Sequence, residues 1–122
     1  LGITPLMSII RYCNDKSLGN KIKLVYSVRT PKDIIYDEEL KKIKEENKNF
    51  DYTVTVTRPN GGDDWTRRTG RINIGLLKKN IGDIENSLYY ICGPLEFVKA
   101  NIAMLESLGA KKEQIKTDIW GE

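Results

Sequence analysis

Arg58, Arg67, Arg68 and Arg71 crowd into one short stretch, and Arg29 stands upstream of them. A guanidinium offers a planar fork of N–H donors that fits a phosphate or carboxylate at two points, so these residues suggest an anionic ligand. The plainer reading is solvated surface, where most arginines sit. A second place for an anion is Gly2-Ile3-Thr4-Pro5, a glycine set directly before a helix start. There the backbone can approach a ligand closely, and free N–H groups and the helix dipole favour negative charge. A tight turn into the helix is the simpler alternative. The third place is Cys92-Gly93-Pro94, where a thiol closes an apolar run ahead of two chain breakers. A free cysteine is most often a small buried hydrophobe. Chemistry that depends on histidine is excluded, because the sequence has none. That removes imidazole acid–base catalysis, the Ser-His-Asp triad and most zinc sites. Cys13 and Cys92 lie far apart and suggest no disulfide framework, metal-binding pair or iron–sulfur cluster.

The elements that must position these residues follow from periodicity. Thr4 and Pro5 precede Leu6, Met7, Ile9 and Ile10, which predicts a helix capped by Thr4 with Pro5 at its first position. Ile22 to Val28 is apolar and predicts a buried strand, ended by Pro31. A helix follows from Asp37 to Asn47, acidic in its first turn and basic beyond, with Leu40 and Ile43 turned inward. Phe50, Tyr52, Val54 and Val56 alternate with Asp51, Thr53, Thr55 and Thr57, which predicts a strand towards the sheet edge with one wet face. The stretch from Arg58 to Arg71 carries Pro59, glycines and charges and reads as a loop. A short helix over Ile74 to Lys79 precedes Leu88 to Cys92, a run typical of a central parallel strand. Val98, Ile102, Leu105 and Leu108 mark a helix closed by Gly109, and Ile115 to Trp120 is the last strand. This alternation predicts an α/β fold: a doubly wound, mostly parallel sheet with helices on both faces. In such a sheet the strands ending near Val28 and Val56 open on one edge, which brings Arg29 and Arg58 to the same side.

A chain of 122 residues suits one compact domain over residues 1–122. Its hydrophobic fraction of 39% and charged fraction of 30% are those of an ordinary soluble protein. A net charge of +3 is too small to argue for nucleic acid, and the arginine-rich stretch also holds Asp63 and Asp64. The apolar runs fall short of a membrane span and the N-terminus has no signal-peptide pattern, so a cytoplasmic location is expected.

The run Leu1-Gly2-Ile3-Thr4-Pro5-Leu6-Met7-Ser8 resembles the phosphate turn of the ferredoxin–NADP reductase family, which ends in Gly-x-Thr-Pro between a first strand and a first helix. Tyr26-Ser27-Val28-Arg29-Thr30, then Tyr36 with Glu39-Leu40, then Gly70-Arg71-Ile72, then Cys92-Gly93-Pro94 match later motifs in the same order. The resemblance covers essentially the whole chain. It implies the NAD(P)-binding domain of a flavin-dependent oxidoreductase, in which hydride passes from NADPH or NADH to FAD or FMN and electrons go on to an acceptor.

The resemblance also implies roles for particular residues. Gly2, Ile3, Thr4 and Pro5 would hold the pyrophosphate, and Ser27, Arg29, Thr30, Thr57 and Arg58 would lie near the adenosine ribose. Arginine at these strand ends, with no acidic residue beside it, points towards NADPH; Arg71 would also bind the cofactor without discriminating. Arg67 and Arg68 are expected to be loop solvation or contacts to a redox partner. Cys92, Gly93 and Pro94 would border the nicotinamide, with Cys92 shaping the pocket rather than attacking and Gly93 leaving room for the dinucleotide. Asp118 and Trp120 resemble the acidic and aromatic residues near the family's C-terminus, beside nicotinamide and flavin, although Glu is commoner there than Asp.

In the family a flavin-binding barrel precedes this domain, and a first strand at the centre of the sheet precedes the turn. The first strand and the barrel are expected outside these residues, with the flavin bound mainly there and little activity in this piece alone. The sheet is expected to be completed by another segment or to stand open and altered. Expected partners are the flavin-binding domain of the parent chain and an electron acceptor such as ferredoxin or an oxygenase component, with no metal and no nucleic acid. A non-catalytic NAD(P)-binding regulatory module is the alternative.

Overall fold

A computed structural model describes residues 3–16, 19, 21–58 and 65–119. Its helices are α1 (Thr4–Asp15), α2 (Asp37–Glu46), α3 (Ile74–Asn80) and α4 (Leu95–Ser107). Its strands are β1 (Ile22–Val28), β2 (Phe50–Val56), β3 (Arg68–Thr69), β4 (Tyr89–Gly93) and β5 (Ile115–Ile119). Ile10–Ile72 forms one compact unit, and Leu1–Ile9 with Asn73–Glu122 forms the other. Among the described residues no helix is long and apolar enough to cross a membrane.

The unit Ile10–Ile72 is built on a parallel sheet in the order β1–β2–β3. β1 and β2 pair along their whole length, from Ile22 opposite Phe50 to Val28 opposite Val56. Leu24, Phe50, Val54 and Val56 are buried, as are Ile10 of α1 and Leu40 and Ile43 of α2. Full burial of one such side chain is worth about 1.5–3 kcal/mol, so this cluster fixes which face of each strand turns inward. α2 starts where expected, after Tyr36, whose φ of +65° is left-handed. Asp37, Glu38 and Glu39 occupy its first turn, where the helix dipole favours carboxylates. Arg11 ties α1 to this helix start. Its Nε and Nη2 each donate to a Glu39 carboxylate oxygen at 2.6 Å, and its guanidinium lies 5.0 Å from the Tyr36 ring centre. The same Glu39 bonds hold the arginine's proton more tightly than usual.

Two expectations change in this unit. β2 is not an edge strand with a wet threonine face: β1 flanks one side, and Arg68–Thr69 pairs with Thr55–Val56 on the other. The stretch from Arg58 to Arg71 is therefore not all loop. Thr55 is fully buried because its hydroxyl is satisfied inside the sheet, donating to the Gly70 carbonyl at 2.5 Å and accepting from Arg68 Nη1 at 3.0 Å. A strand of two residues carries no periodicity, which is why pattern alone reads it as loop.

The other unit holds β4 and β5 in parallel, from Tyr89 opposite Ile115 to Gly93 opposite Ile119. Val98 and Leu105 of α4 are buried, with Leu76 and Leu77 of α3, Ile91 of β4, and Ile3 and Met7 at the start of the chain. Asn101, also buried, donates from Nδ2 to the Phe97 carbonyl at 2.9 Å, so its amide is not stranded. Gly109 closes α4 with a φ of +108°. Gln114 Nε2 donates to the carbonyls of Ile84, Glu85 and Ser87 at 2.7, 3.0 and 2.8 Å, pinning the turn before β4 to the one before β5. β4 differs from the buried central strand predicted. Leu88 lies outside it and is 75% exposed, and Tyr90 is 53% exposed. The described strands thus pair as two parallel sheets.

Asp37 gives this architecture a pH-dependent joint. Tyr52 Oη donates to Asp37 Oδ1 at 3.0 Å, Arg67 Nη1 lies 3.1 Å from Oδ2, and Lys41 is 3.6 Å away. Burial alone would raise the Asp37 pKa, but Arg67, Tyr52 and Lys41 together hold it below its ordinary value. Burial and the same carboxylate push the Tyr52 phenol up to about 12. A depressed carboxylate stabilises the fold above its ordinary value of 3.8 and loses that contribution as pH falls through the lower folded value. Arg67→Met should cost about 0.5–1 kcal/mol near neutral pH, a solvent-screened figure for a partly exposed pair. Urea unfolding of the two proteins should then converge once the pH is well below 3.8; a gap that persists unchanged in acid would rule out Asp37 as its source.

Candidate functional site

Parallel pairing delivers the ends of β1 and β2 to one edge, and the ladder runs past both strands. The Thr57 N–H donates to the Val28 carbonyl at 2.9 Å, and the Arg58 N–H donates to the Arg29 carbonyl at 2.7 Å. Arg29 and Arg58 therefore leave neighbouring strands side by side, as the alternation predicts. β3 extends the row. Val28, Val56 and Thr69 share a register line, and Arg71 follows Thr69 by the same two positions as Arg58 follows Val56. Arg29, Arg58 and Arg71 are exposed, and their side chains form no ion pair or hydrogen bond with any described residue. Ser27 is half-buried in β1. Thr30 Oγ1 donates to Asp33 Oδ2 at 3.0 Å, and Thr57 Oγ1 reaches the Val28 carbonyl at 3.4 Å. Guanidinium groups without internal partners, set among hydroxyls at the carboxyl edge of a parallel sheet, suit a phosphate-bearing ligand.

Arg67 and Arg68 do not behave as loop solvation. Arg67 is ion-paired with Asp37, and its guanidinium lies 5.7 Å from the Tyr52 ring centre and 5.1 Å from that of Trp65. Arg68 donates from Nη1 to Thr55 Oγ1 and to the Thr69 carbonyl, each at 3.0 Å. Trp65 Nε1 donates to the Arg68 carbonyl at 2.8 Å, so this stretch is knitted to β2 and α2. Such partners are set by tertiary contact, and sequence spacing carries no sign of them.

In the other unit, register brings Cys92 opposite Asp118. Cys92 is half-buried and Asp118 exposed. Burial, and then the Asp118 charge, push the Cys92 thiol above its ordinary value, which suits a pocket wall better than a nucleophile. A Cβ added at Gly93 would stand 2.6 Å from Phe97 Cδ2, so this chain's own ring already lies against that position. Pro94 is the residue before α4. At the other helix start, α1 begins at Thr4, with the Ile3 carbonyl accepting from the Met7 N–H at 2.9 Å. Thr4 and Pro5 thus sit one position further into the helix than predicted, because the Ile3 carbonyl already closes the first helical turn. Gly2 and Trp120 lie outside the described residues.

The family described as "Oxidoreductase NAD-binding domain" matches residues 1–102. Among curated relatives, a subunit of the Na(+)-translocating NADH-quinone reductase of Marinomonas sp. (strain MWYL1) is 34% identical over 98% of this chain and 30% of its own length. The chain thus spans about 30% of the curated relatives it matches. Among solved structures, the flavohem-like FAD/NAD-binding domain of nitric oxide dioxygenase from Vibrio cholerae O1 biovar El Tor superposes with a TM-score of 0.84 at 21% identity. That match covers 99% of this chain and 48% of the other, and shows the fold. The CS-b5R domains of human Ncb5or, in an NAD+ form, give a TM-score of 0.82 at 27% identity, over 95% of this chain and 33% of that one.

Two measurements probe the Cys92 region. With Cys13 replaced by Ser, alkylation of Cys92 should follow a pH midpoint above the ordinary 9.0. Asp118→Asn should lower that midpoint only in part, since burial is the larger cause; a midpoint at or below 9.0 in the parent protein would contradict this environment. Gly93→Ala should destabilise by about 1–3 kcal/mol through overpacking against Phe97, with part of the loss restored by Phe97→Leu, as read from thermal unfolding.

Proposed function

We propose that this chain, which belongs to the oxidoreductase NAD-binding domain family, binds NADPH or NADH for a flavin-dependent oxidoreductase of which it is one part. The observation that carries the reading is the continued ladder, in which the Arg58 N–H donates to the Arg29 carbonyl at 2.7 Å and sets side by side two arginines whose guanidinium groups have no partner among the described residues. In that unit Arg29, Arg58 and Arg71, with Ser27, Thr30 and Thr57, would hold the adenosine ribose and its phosphate. In the other, Ile3, Thr4 and Pro5, with Gly2, would face the pyrophosphate. Cys92, Gly93, Pro94, Asp118 and Trp120 would border the nicotinamide. When bound, the reduced nicotinamide supplies the hydride, and a flavin held mainly by the rest of the parent protein receives it.

The residues of this chain bind, orient and exclude water. A raised thiol at Cys92 keeps that wall neutral next to the ring, and the exposed Asp118 carboxylate lies beside it across the ladder. Two arginines, Arg29 directly after β1 and Arg58 two positions after β2, favour NADPH, whose 2′-phosphate adds a dianion that a guanidinium fork can grip. The name of the curated relatives carries NADH, so the two nucleotides call for direct comparison. The flavin's electrons would pass to a protein or small-molecule acceptor, with ferredoxin or an oxygenase component as candidates.

The test is anaerobic titration of the full-length protein with each nucleotide while flavin absorbance is followed. Bleaching by both, with NADPH effective at lower concentration, is the expected result. Arg58→Ala should raise the NADPH requirement about tenfold, the worth of one hydrogen bond to a charged group, and leave NADH nearly unchanged. Nucleotide binding without bleaching would favour a non-catalytic module, and equal response to both nucleotides would remove the arginine argument.

A further inference from the structure

Arg71 leaves β3 through Gly70, whose φ of +97° is a left-handed conformation suited to glycine. Both backbone polar groups of Gly70 are held. Its N–H donates to the Val56 carbonyl at 2.9 Å, and its carbonyl accepts from Thr55 Oγ1 at 2.5 Å. The same hydroxyl accepts from Arg68 Nη1 at 3.0 Å, and Arg68 Nη1 also donates to the Thr69 carbonyl. Thr55 is fully buried, so no water can replace these bonds if its hydroxyl is lost. One oxygen therefore joins the carboxyl end of β2 to the last turn before Arg71.

We propose that Thr55 and Arg68 are positioning residues: by holding the Gly70 carbonyl they fix where Arg71 leaves β3, so that its guanidinium joins those of Arg29 and Arg58 on a phosphate of the dinucleotide. This rests on the reading that the edge binds NAD(P)H. Neither Thr55 nor Arg68 touches the ligand; one is enclosed in the sheet and the other is turned back onto it. The phosphate is the 2′-phosphate of NADPH or the pyrophosphate common to both nucleotides, and comparing the two separates these sources.

The experiment uses the full-length flavoprotein and measures KM, kcat and melting temperature with NADPH and with NADH. The variants are Thr55→Val, Thr55→Ser, Arg68→Met, Arg71→Met and the combinations of Thr55→Val or Arg68→Met with Arg71→Met. Thr55→Val and Arg68→Met should each raise KM about five- to tenfold with kcat within about twofold, while Thr55→Ser, which keeps the hydroxyl, stays near the parent value. Each double variant should be no worse than Arg71→Met alone, as required if the pair acts through Arg71. A rise confined to NADPH assigns the 2′-phosphate and an equal rise assigns the pyrophosphate; either supports the proposal. Should Thr55→Val fail to fold, Arg68→Met and its double variant carry the same expectation. Additive losses in the doubles, or a lowered melting temperature with unchanged KM, would overturn it while the nucleotide reading stands. A parent protein that oxidises neither nucleotide would defeat both.

Discussion

Parallel pairing sends the carboxyl ends of neighbouring strands to the same side, and in the β1–β2–β3 sheet this decides which residues share an edge. The register is pinned from within. Val54 and Val56 are buried on β2 opposite Tyr26 and Val28, and a slip of one residue would carry them to the face where Thr55 is bonded to Gly70 and Arg68. Everything beyond the ladder inherits that register. Arg29 and Arg58 stand side by side because the strands before them are fixed, and not through any contact between their side chains. The apolar core of this unit thus sets the position of its charges.

The six arginines divide by what surrounds them. Arg11 is neutralised by Glu39, Arg67 by Asp37, and Arg68 is turned onto Thr55 and Thr69. These three join helix to helix, loop to helix and strand to strand. The other three have no such partner among the described residues. A chain with a formal charge of only +3 can in this way still place three arginines without internal partners at the ends of one sheet. Net charge alone is a poor guide to such a site.

Much of this was legible in the sequence, for a definite reason. β1 matches its predicted span, and β2 and α2 match within a residue, because each is long enough for hydrophobic periodicity and turn residues to mark both ends. The common edge of Arg29 and Arg58 followed from strand alternation. What stayed hidden depends on partners distant in sequence. β3 has two residues, and the burial of Thr55 follows from Gly70 and Arg68. The cage of Tyr52, Trp65 and Asp37 around Arg67 is likewise a tertiary event. Cys92 faces Asp118 only through the register of two strands. Gly93 stands out within Cys92-Gly93-Pro94, but its neighbour is Phe97, one helical turn on, which no motif specifies.

That neighbour has a consequence for how such domains change over time. Gly93 and Phe97 share one volume, so their substitutions are not free to occur in either order. A smaller side chain at position 97 first leaves only a void, which a marginal fold can tolerate. A side chain at position 93 first meets the ring head-on. Descent through this pair is therefore directional: the helix position must give way before the strand position can vary. Across divergent lineages the two sites should covary, with bulk at one excluding bulk at the other.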